Sequence, residues 1–532
     1  MSNILLINPY YSQKLKYFSF YLPAPPLGLM YLSSYLRKYG LESKIAELNI
    51  FNIKNAHIIG DRVRFGLSDK KIISILKKTK PKIIGITSMY SVYYRDVMEI
   101  AKSIKKFNKK IKVVIGGNHP SSYYNYILKD KNIDFVVIGE GEVTFLELCQ
   151  AIIKKKKNFN TIKGIAFNHQ GKIIRTPVRE LIQNLDEIPF PARDLVNFTK
   201  YIPLRRDNVY LMRYPASTII TSRGCPGHCI YCTVKAVWGR SWRGRSAKNV
   251  VDEIKELSVK YGINELAFMD DSASVNKKRW NEICDEIIKR KIDIKWNTPN
   301  GIAHWTLDKP SIKKMYDAGC YRITFGIESG NTDTRKFLGK PYPLSQAKEL
   351  INYANKIGMW TICTNIIGFP YEKMTSIRDT INFAKNSGTD FATFYHLIPQ
   401  PTSDVYKYFK KENLLNFDYF FEKLEMDGDE FEKINYVLNE TGADTLEFKK
   451  EELQKIQKDA YREFIIYRAF SFIANPTKII NKIHSKEDLM YAVRLLSNGF
   501  KIMIRTLNPL NLKSSDFLYH KSLLKPANTQ ET

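Results

Sequence analysis

Three cysteines lie within eight residues of this 532-residue chain, at Cys225, Cys229 and Cys232. Their spacing is CxxxCxxC, and the run follows an apolar stretch of β-strand character at residues 216–221. Thiolates this close along a chain can converge on one metal centre, and three of them leave one iron of a 4Fe-4S cluster without a protein ligand. The motif therefore predicts an iron–sulfur cluster with an open iron, where a small molecule can bind and react.

Zinc and disulfide bonds are the alternatives for these thiols. A structural zinc site takes four ligands, usually in two pairs, and the other cysteines have no such neighbour. A total of seven cysteines, in a chain whose start does not resemble a signal peptide, disfavours disulfides. We expect core positions for the four that stand singly, which are Cys149, Cys284, Cys320 and Cys363.

The chain carries 83 Lys and Arg against 54 Asp and Glu, a formal net charge of +29. Such an excess suggests acidic partners such as nucleic acid, anionic lipid or a phosphorylated substrate. The lysines are scattered over helical stretches without the aromatic motifs of RNA-binding proteins, so we expect them to solvate the surface and expect no nucleic-acid partner. No apolar run reaches about 18 residues, and the sequence therefore predicts a soluble, cytoplasmic protein.

Short apolar runs alternate with helical stretches between residues 4 and 154. This rhythm predicts an α/β domain with a doubly wound parallel sheet, whose ligands bind at the carboxyl ends of the strands. Polar and glycine-containing loops follow three of the predicted strands, at 87–89, 116–120 and 139–142. Glycine lets a large ligand approach the backbone, so these loops mark a candidate binding edge. The predicted strands are Ile4–Asn8, Lys44–Leu48, Lys82–Thr87, Lys112–Ile115 and Phe135–Ile138.

A second series of strands and helices runs from about residue 216 to 400 and contains six βα units, too few for a complete eight-fold barrel. Barrels of this kind gather their chemistry at the carboxyl ends of the strands. From about residue 404 helical patterns dominate, and we expect this tail to cover the mouth of the barrel. The predicted organisation is a first domain at 1–155, a connector at 156–205, the barrel at 206–404 and a helical C-terminal region at 405–532.

The CxxxCxxC run, with Tyr231 directly before its last cysteine, resembles the cluster motif of the radical SAM superfamily. The resemblance implies that the three cysteines hold a 4Fe-4S cluster whose free iron chelates S-adenosyl-L-methionine (SAM). It implies too that one electron breaks a carbon–sulfur bond of SAM, giving a 5'-deoxyadenosyl radical that abstracts hydrogen, and that Tyr231 lies near the adenine. The six βα units fit the partial (β/α)6 barrel of this family.

In that family the ends of the barrel strands contact SAM, and the resemblance carries these contacts onto this sequence. The second strand end, at Asp270 or Asp271, would meet the amino group, although Asp271 could instead cap the next helix. The fourth, at Glu328 and Ser329, would contact the ribose or the carboxylate. The fifth, at Gly368, would shape the adenine pocket, although it could be an ordinary loop entry.

Segments of the first region resemble the cobalamin-binding domain that precedes the radical SAM domain in one large subgroup. They are Pro25–Gly28, Gly85–Ser88, Gly116–Pro120 and Gly139–Glu142. The DxHxxG pattern that supplies a lower axial histidine in many cobalamin proteins is absent, so His119 is not assigned as a ligand. The resemblance implies that six residues line the groove for the corrin and its nucleotide tail: Ser88, Gly116, Gly117, Gly139, Glu140 and Gly141.

The resemblance as a whole implies a cobalamin-dependent radical SAM enzyme, and we expect a C-methyltransferase that acts on an unactivated carbon. One SAM would supply the radical and a second would remethylate the cobalamin. A cyclase or oxidoreductase with the same cofactors is the alternative, because the resemblance does not cover the tail that selects the substrate. From a different class, a basic zinc-containing RNA-binding protein would also fit the cysteines and the charge.

The expected partners are a small-molecule substrate of unknown identity and a low-potential electron donor such as ferredoxin or flavodoxin. The last predicted helix, Lys486–Arg505, mixes apolar and basic residues at helical spacing. Contact with a membrane surface and ordinary core packing both explain this pattern. Its apolar residues are Leu489, Val493, Leu496, Phe500 and Ile504, and its basic ones are Arg494, Lys501 and Arg505.

Overall fold

The computed structural model of the chain describes residues 3–14, 24–49, 56–59, 62–201, 211–400, 402–414 and 443–507. These residues form two compact units, one within residues 1–206 and one within 207–510, with Ala236–Trp238 grouping with the first. Parts of the predicted C-terminal region, at 415–442 and after Leu507, lie outside the described residues, and so do the side chains of Phe500, Lys501, Ile504 and Arg505.

The first unit alternates strands and helices. Its described strands are β1 (Ile4–Asn8), β2 (Tyr11–Lys14), β3 (Ser43–Glu47), β4 (Ala56–Ile59), β5 (Arg62–Phe65), β6 (Ile83–Thr87), β7 (Lys112–Gly116), β8 (Phe135–Val137), β9 (Ile165–His169) and β10 (Lys172–Arg175). Its described α-helices are α1 (Leu27–Lys38), α2 (Asp69–Thr79), α3 (Tyr94–Phe107), α4 (Asn118–Ile127) and α5 (Gly141–Ile153).

The main sheet of this unit has the order β10-β9-β8-β7-β6-β1-β3 among the described residues. Strands β3, β1, β6, β7 and β8 are parallel, which confirms the doubly wound fold class. The helices that connect these strands pack in pairs, α1 on α5 and α2 on α3. Covered on both faces, β1, β6 and β7 read as apolar runs rather than alternating ones. The strand order reverses between β1 and β6, a position where such sheets bind ligands.

Three features of the first unit were not predicted. The sequence favours a small hairpin at Gly164–Gly171 in the expected connector, but not the antiparallel pairing with β8 by which the hairpin β9–β10 extends the main sheet. Strands β2, β5 and β4 form a small antiparallel sheet. Residues 118–120, predicted as a loop, begin α4. Pro120 is tolerated there because the N–H groups of a first helical turn have no intrahelical partner.

The second unit carries the parallel strands β11 (Ala216–Ile219), β14 (Glu265–Phe268), β15 (Lys295–Ile302), β16 (Cys320–Glu328), β17 (Trp360–Ile367) and β18 (Phe391–His396), with the short pair β12 (Ser222–Arg223) and β13 (Arg243–Gly244). Its helices are α7 (Ala247–Tyr261), α8 (Lys277–Lys289), α9 (Lys309–Asp317), α10 (Thr332–Phe337), α11 (Leu344–Lys356), α12 (Met374–Asn386), α13 (Val405–Lys411), α14 (Lys450–Ala474), α15 (Thr477–Ile480) and α16 (Lys486–Leu507). Helix α6 (Lys235–Trp238) follows the cysteine motif.

The six strands of the larger sheet follow one another in chain order and are parallel throughout, as in a partial barrel. Strand β16 is central and buried along its whole length. Helix α14 runs along the edge strand β18. The Gln457 amide donates to the Phe394 carbonyl at 2.6 Å, and the Tyr461 hydroxyl accepts from the Phe394 N–H at 3.0 Å. These side chains satisfy backbone groups that a seventh strand would otherwise pair.

The end of the tail does not cover the carboxyl-end mouth, and that expectation is wrong for α15 and α16. Tyr491 and Ala492 of α16 pack in one core with Met212, Tyr321 and Trp360. Tyr321 and Trp360 begin their strands, so α16 closes the amino end of the sheet instead. No helix in the described part of the chain is long and apolar enough to span a membrane.

Candidate functional site

The three cysteines of the motif lie in the loop that follows β12, and all three side chains are half-buried. A Cβ on Gly227 would lie 3.3 Å from the Cys225 Sγ and 3.9 Å from the Cys229 Sγ. The Gly227 N–H donates to the Cys225 Sγ at 3.4 Å. Glycine thus leaves open a space that two sulfurs border, and this space fits a bound cluster.

Burial favours the protonated thiol at two cysteines of the loop. Burial raises the pKa of Cys232 to about 11 and raises that of Cys229, with the charge of Lys340 opposing the shift at Cys229. Metal binding to such thiols releases their protons. In the described residues no three His, Cys, Asp or Glu side chains are grouped as ligands of a single ion. A 4Fe-4S cluster does not need such a group, because its three thiolates bind three different iron atoms and lie farther apart than the ligands of a single ion.

Asp270 anchors the start of the cysteine loop. Its carboxylate accepts from the Thr221 N–H at 3.1 Å, the Thr221 hydroxyl at 2.8 Å and the Ser222 hydroxyl at 2.5 Å. The adjacent Asp271 is exposed and accepts from the Gly224 N–H. The dense protein around its carboxyl group and the charge of Asp270 together raise the pKa of Asp271 to about 6. Of the two aspartates, Asp271 is therefore the one open to a ligand.

A second contact holds the middle of the loop against the turn after α10. The Ile230 N–H donates to the Leu338 carbonyl at 3.1 Å. Gly339 has a φ of +80°, and a Cβ there would lie only 2.6 Å from the His228 carbonyl oxygen. The close approach therefore needs glycine. It places Lys340, the next residue, beside the cysteine loop.

Glu328 and Lys340 form a buried ion pair at the carboxyl end of β16. Lys340 Nζ lies 2.8 Å from Glu328 Oε1 and donates to the Gly326 carbonyl at 2.9 Å. Glu328 has a φ of +65°, at a register shift between β16 and β17, a conformation that a non-glycine residue adopts only where its surroundings enforce it. The sequence pointed to Glu328 but not to Lys340, which follows a short helix and carries no local motif.

Tyr231 and Gly368 border an aromatic region near the loop. The Tyr231 ring meets Phe369 edge-on, with 6.4 Å between centroids. Gly368 has a φ of +90°, and its N–H donates to Glu372 at 2.7 Å. Ser329 lies differently, because its hydroxyl is within 3.1 Å of Thr380 Oγ1 and accepts from the Asn331 N–H. The Ser329 hydroxyl is thus engaged by its own turn and by α12.

His304 is a candidate that the sequence did not indicate. It is fully buried, and neither ring nitrogen has a hydrogen-bond partner in the described part of the chain. Burial, with the charges of Arg335 and Lys340, lowers its pKa to about 3, so the ring is neutral. Its neighbour Trp305 stacks on Tyr342 at 3.9 Å. Strand β15 ends at Ile302, so His304 lies directly beyond the carboxyl end of the strand.

In the first unit the carboxyl ends of β6 and β7 meet closely. The Ser88 N–H donates to the Gly116 carbonyl at 2.8 Å. Gly117 has a φ of +120°, and a Cβ there would lie 2.7 Å from the Ser88 carbonyl oxygen. The Ser88 hydroxyl is buried without a partner among the described residues. An unpaired hydroxyl on a glycine edge fits a large polar ligand such as a corrin with its amide side chains.

The turn after β8 adds Gly139, whose N–H donates to the Ser121 hydroxyl at 3.0 Å. Glu140 accepts from the Ile182 N–H at 2.7 Å, and Gly141 packs against Leu32. Both therefore shape the turn. His119 is buried, with Nδ1 at 2.8 Å from the Ser91 hydroxyl, and burial lowers its pKa to about 3.

Comparison with known proteins covers both units. The model of the Radical SAM superfamily matches residues 219–384, and that of the B12 binding domain matches residues 17–149. "Uncharacterized methyltransferase PH0819" of Pyrococcus horikoshii is 34% identical over 443 residues, 83% of this chain and 88% of that protein. "Cytidylyl-2-hydroxyethylphosphonate methyltransferase" of Streptomyces wedmorensis is 31% identical, covering 71% of this chain and 77% of that protein. The solved structure of the radical SAM methyltransferase TsrM from Kitasatospora setae shares the fold at a TM-score of 0.63 and 18% identity, covering 77% of this chain and 76% of that one.

The chain belongs to the radical SAM superfamily, in the group whose members also carry a B12-binding domain. It is an enzyme of the methyltransferase type that uses a 4Fe-4S cluster, SAM and cobalamin. The predicted family, fold class and cofactors are confirmed. The alternative of a non-catalytic zinc protein is not supported.

Proposed function

We propose that this chain transfers a methyl group to an unactivated carbon of a small molecule. The observation that carries the proposal is the three-thiol loop, docked beside the buried Glu328–Lys340 pair, in a chain whose other unit matches the B12 binding domain. When bound, the cluster and SAM supply a 5'-deoxyadenosyl radical, and cobalamin supplies the methyl group.

Different residues of the second unit bind the cluster and the separate parts of SAM. Cys225, Cys229 and Cys232 bind three irons. The amino acid end of SAM carries one positive and one negative charge, and Glu328 and Lys340 offer the complementary pair. Asp271 is a second carboxylate within this region for the amino group. Tyr231, Phe369 and Gly368 supply the aromatic and glycine surface for the adenine, and Ser329 holds the turn that presents Glu328.

The glycine edge of the first unit binds the corrin. Ser88 donates its unpaired hydroxyl to a corrin amide, and Gly116, Gly117 and Gly139 let the ring approach the backbone. Glu140 and Gly141 hold the turn. We assign cobalamin binding to residues 1–155, the connection to 156–205 and radical formation to 206–404, and within 405–532 we assign substrate selection to the residues that precede α15. A low-potential donor such as ferredoxin or flavodoxin, acting in the cytoplasm, would supply electrons.

The test uses anaerobically purified full-length protein, reconstituted with iron, sulfide and cobalamin. Cys229→Ala is expected to lose most of its iron and all reductive SAM cleavage, measured as 5'-deoxyadenosine, while it retains the corrinoid absorption band. Cys284→Ala is the matched control, because Cys284 is a buried core cysteine of α8. Full iron and SAM cleavage in Cys229→Ala would contradict the cluster assignment.

The reaction type needs a separate readout. Methyl transfer yields S-adenosylhomocysteine together with 5'-deoxyadenosine and a product heavier by one methylene. A cyclase or oxidoreductase with the same cofactors yields 5'-deoxyadenosine without S-adenosylhomocysteine. Formation of 5'-deoxyadenosine alone, with the true substrate present, would replace methyl transfer by that alternative.

A further inference from the structure

The helices at the amino end of the second unit expose an unusual amount of apolar surface. Seven large apolar side chains at the end of α14, in α15 and in α16 are between 46% and 76% exposed. Helices α14, α15 and α16 pack on one another, so these side chains share one region. We call it the α14–α16 face, and its residues are Phe470, Ile473, Ile480, Leu489, Met490, Val493 and Leu496.

The opposite side of α16 packs in the core of the second unit. Tyr491 and Ala492 are buried against Tyr321 and Trp360, and Leu495 packs beside them. The stripe of Leu489, Val493 and Leu496 therefore does not serve core packing. A helix that is apolar on both sides is normally covered on both sides. The outer side of α16 is thus suited to a further apolar partner.

Charge indicates which partner fits. Between residues 464 and 515 the sequence has eight Lys or Arg and only two acidic residues, Glu487 and Asp488. Both acids are directed inward, since Glu487 pairs with Arg213 at 2.7 Å and the buried Asp488 accepts from the Ser485 hydroxyl at 2.9 Å. Of these basic residues, Arg468 and Lys482 are buried, Lys482 in a pair with Asp390 at 2.9 Å, and Arg494 donates to the Met212 carbonyl. Lys478 and Lys486 are exposed beside the α14–α16 face, and Lys501, Arg505 and Lys513 follow them along the chain.

We propose that the α14–α16 face docks on an anionic lipid surface. Apolar side chains flanked by exposed lysines such as Lys478 and Lys486, on helices too polar to cross a bilayer, are the combination that binds in the interface of such a membrane. A second copy of this chain fits less well, because a symmetric contact would bring the same basic residues together. The chain's own residues 508–532 carry three Lys and two acidic residues, and so offer no complementary charge.

Flotation with lipid vesicles tests the proposal on the reconstituted full-length protein. Binding is expected to vesicles of equal parts phosphatidylglycerol and phosphatidylcholine at low salt, at least about tenfold tighter than to phosphatidylcholine alone. It is expected to weaken at about 0.5 M salt, which screens exposed charges. Equal binding to both vesicles, or no binding to either, would overturn the proposal.

A matched pair of variants tests the face itself. Leu489→Glu with Val493→Glu is expected to lower vesicle binding at least tenfold. Val259→Glu with Ile288→Glu makes the same changes at exposed aliphatic residues of α7 and α8 and should leave binding unchanged. Ile473→Glu on α14 repeats the test if the first pair does not fold. Equal losses in the test and control pairs would reject this face.

The other occupants give different results. A second copy would appear as a concentration-dependent dimer in sedimentation, broken by Leu489→Glu with Val493→Glu, in protein that does not bind vesicles. Cover by residues 508–532 would appear as protection of the face from surface labelling in lipid-free protein, again without vesicle binding. Either result overturns the proposal. Neither bears on SAM cleavage, so the proposed methyl transfer stands or falls separately.

Discussion

The second unit has a buried lysine–carboxylate pair at each end of its larger sheet. The two pairs differ in how many hydrogen bonds they make with other groups of the protein. At the amino end, Asp390 accepts from Lys482 at 2.9 Å and from the Thr361 N–H at 2.7 Å, and Lys482 donates also to Asn355 at 2.7 Å and to the Met359 carbonyl. At the carboxyl end, Lys340 is the one described donor to the Glu328 carboxylate. The Asp390–Lys482 pair makes its hydrogen bonds within the protein, whereas the Glu328 carboxylate can accept further hydrogen bonds from a ligand.

The backbone shows the same difference. Glu328 has a φ of +65° at a shift in strand register, and this backbone conformation is unfavourable in free energy for a residue other than glycine. The Asp390–Lys482 pair instead joins the start of β18 to the segment after α15, next to the core around Tyr491. We propose that similar chemistry serves folding at one end of the sheet and ligand binding at the other. Two substitutions separate these roles, and a third tests burial at the carboxyl end of the sheet.

Lys482→Met has the largest expected effect on stability. Removing the lysine leaves Asp390 buried without its counter-charge, a loss of about 3–5 kcal/mol in the free energy of unfolding. The thermal midpoint of the second unit, followed by circular dichroism, should fall by roughly 10 °C. The double variant Lys482→Met with Asp390→Asn should recover part of the loss, because no charge remains buried. An unchanged midpoint in Lys482→Met would contradict the structural role.

Lys340→Met makes the same substitution at the other end. It is expected to lower the rate of SAM cleavage at subsaturating SAM about 100-fold, equivalent to about 2.7 kcal/mol, because a charge-assisted contact to SAM is lost. Iron content should stay at the wild-type level, since the cysteines are intact. Wild-type cleavage in this variant would show that the two pairs do not differ in role.

The pH dependence of stability gives the smallest effect. Burial raises the pKa of Glu372 to about 7, with the N–H groups of Gly368 and Phe369 opposing the shift. Its pKa in the unfolded chain is about 4.5, so the folded state binds the proton more tightly. This contribution is complete below about pH 4.5 and is lost as the pH rises toward 7, on the order of 2 kcal/mol.

Glu372→Gln keeps an oxygen for the Gly368 N–H but cannot titrate. Urea unfolding between about pH 5 and 7.5 should therefore show a shallower loss of stability with rising pH than the wild type. The same slope in both proteins would mean that Glu372 titrates normally in the folded state, and that burial at this end of the sheet is less complete than at the other.

Sequence patterns predicted most of the framework and about half of the candidate site. The predicted strands of the first domain lie close to their observed bounds, and the larger sheet of the second unit has the six strands predicted for it, because buried strands have patterns that local sequence carries. Helix α4 was missed because His119 and Pro120 look like a loop when only neighbours are considered. Cys225, Cys229, Cys232 and Glu328 were named in advance. Lys340 and His304 were not, because neither stands in a motif.

The sequence by itself determined the strand and helix order, the spacing of the three thiols and the class of cofactors, since these depend on residues that are neighbours along the chain. The tertiary structure decided the rest. It brought Lys340 to Glu328, buried His304 at the end of β15, and selected which side of α16 faces the sheet through contacts such as Arg494 with the Met212 carbonyl, 282 residues apart. Such choices follow from packing between distant segments, where the same stripe of leucine and valine is equally suited to a core or to a surface.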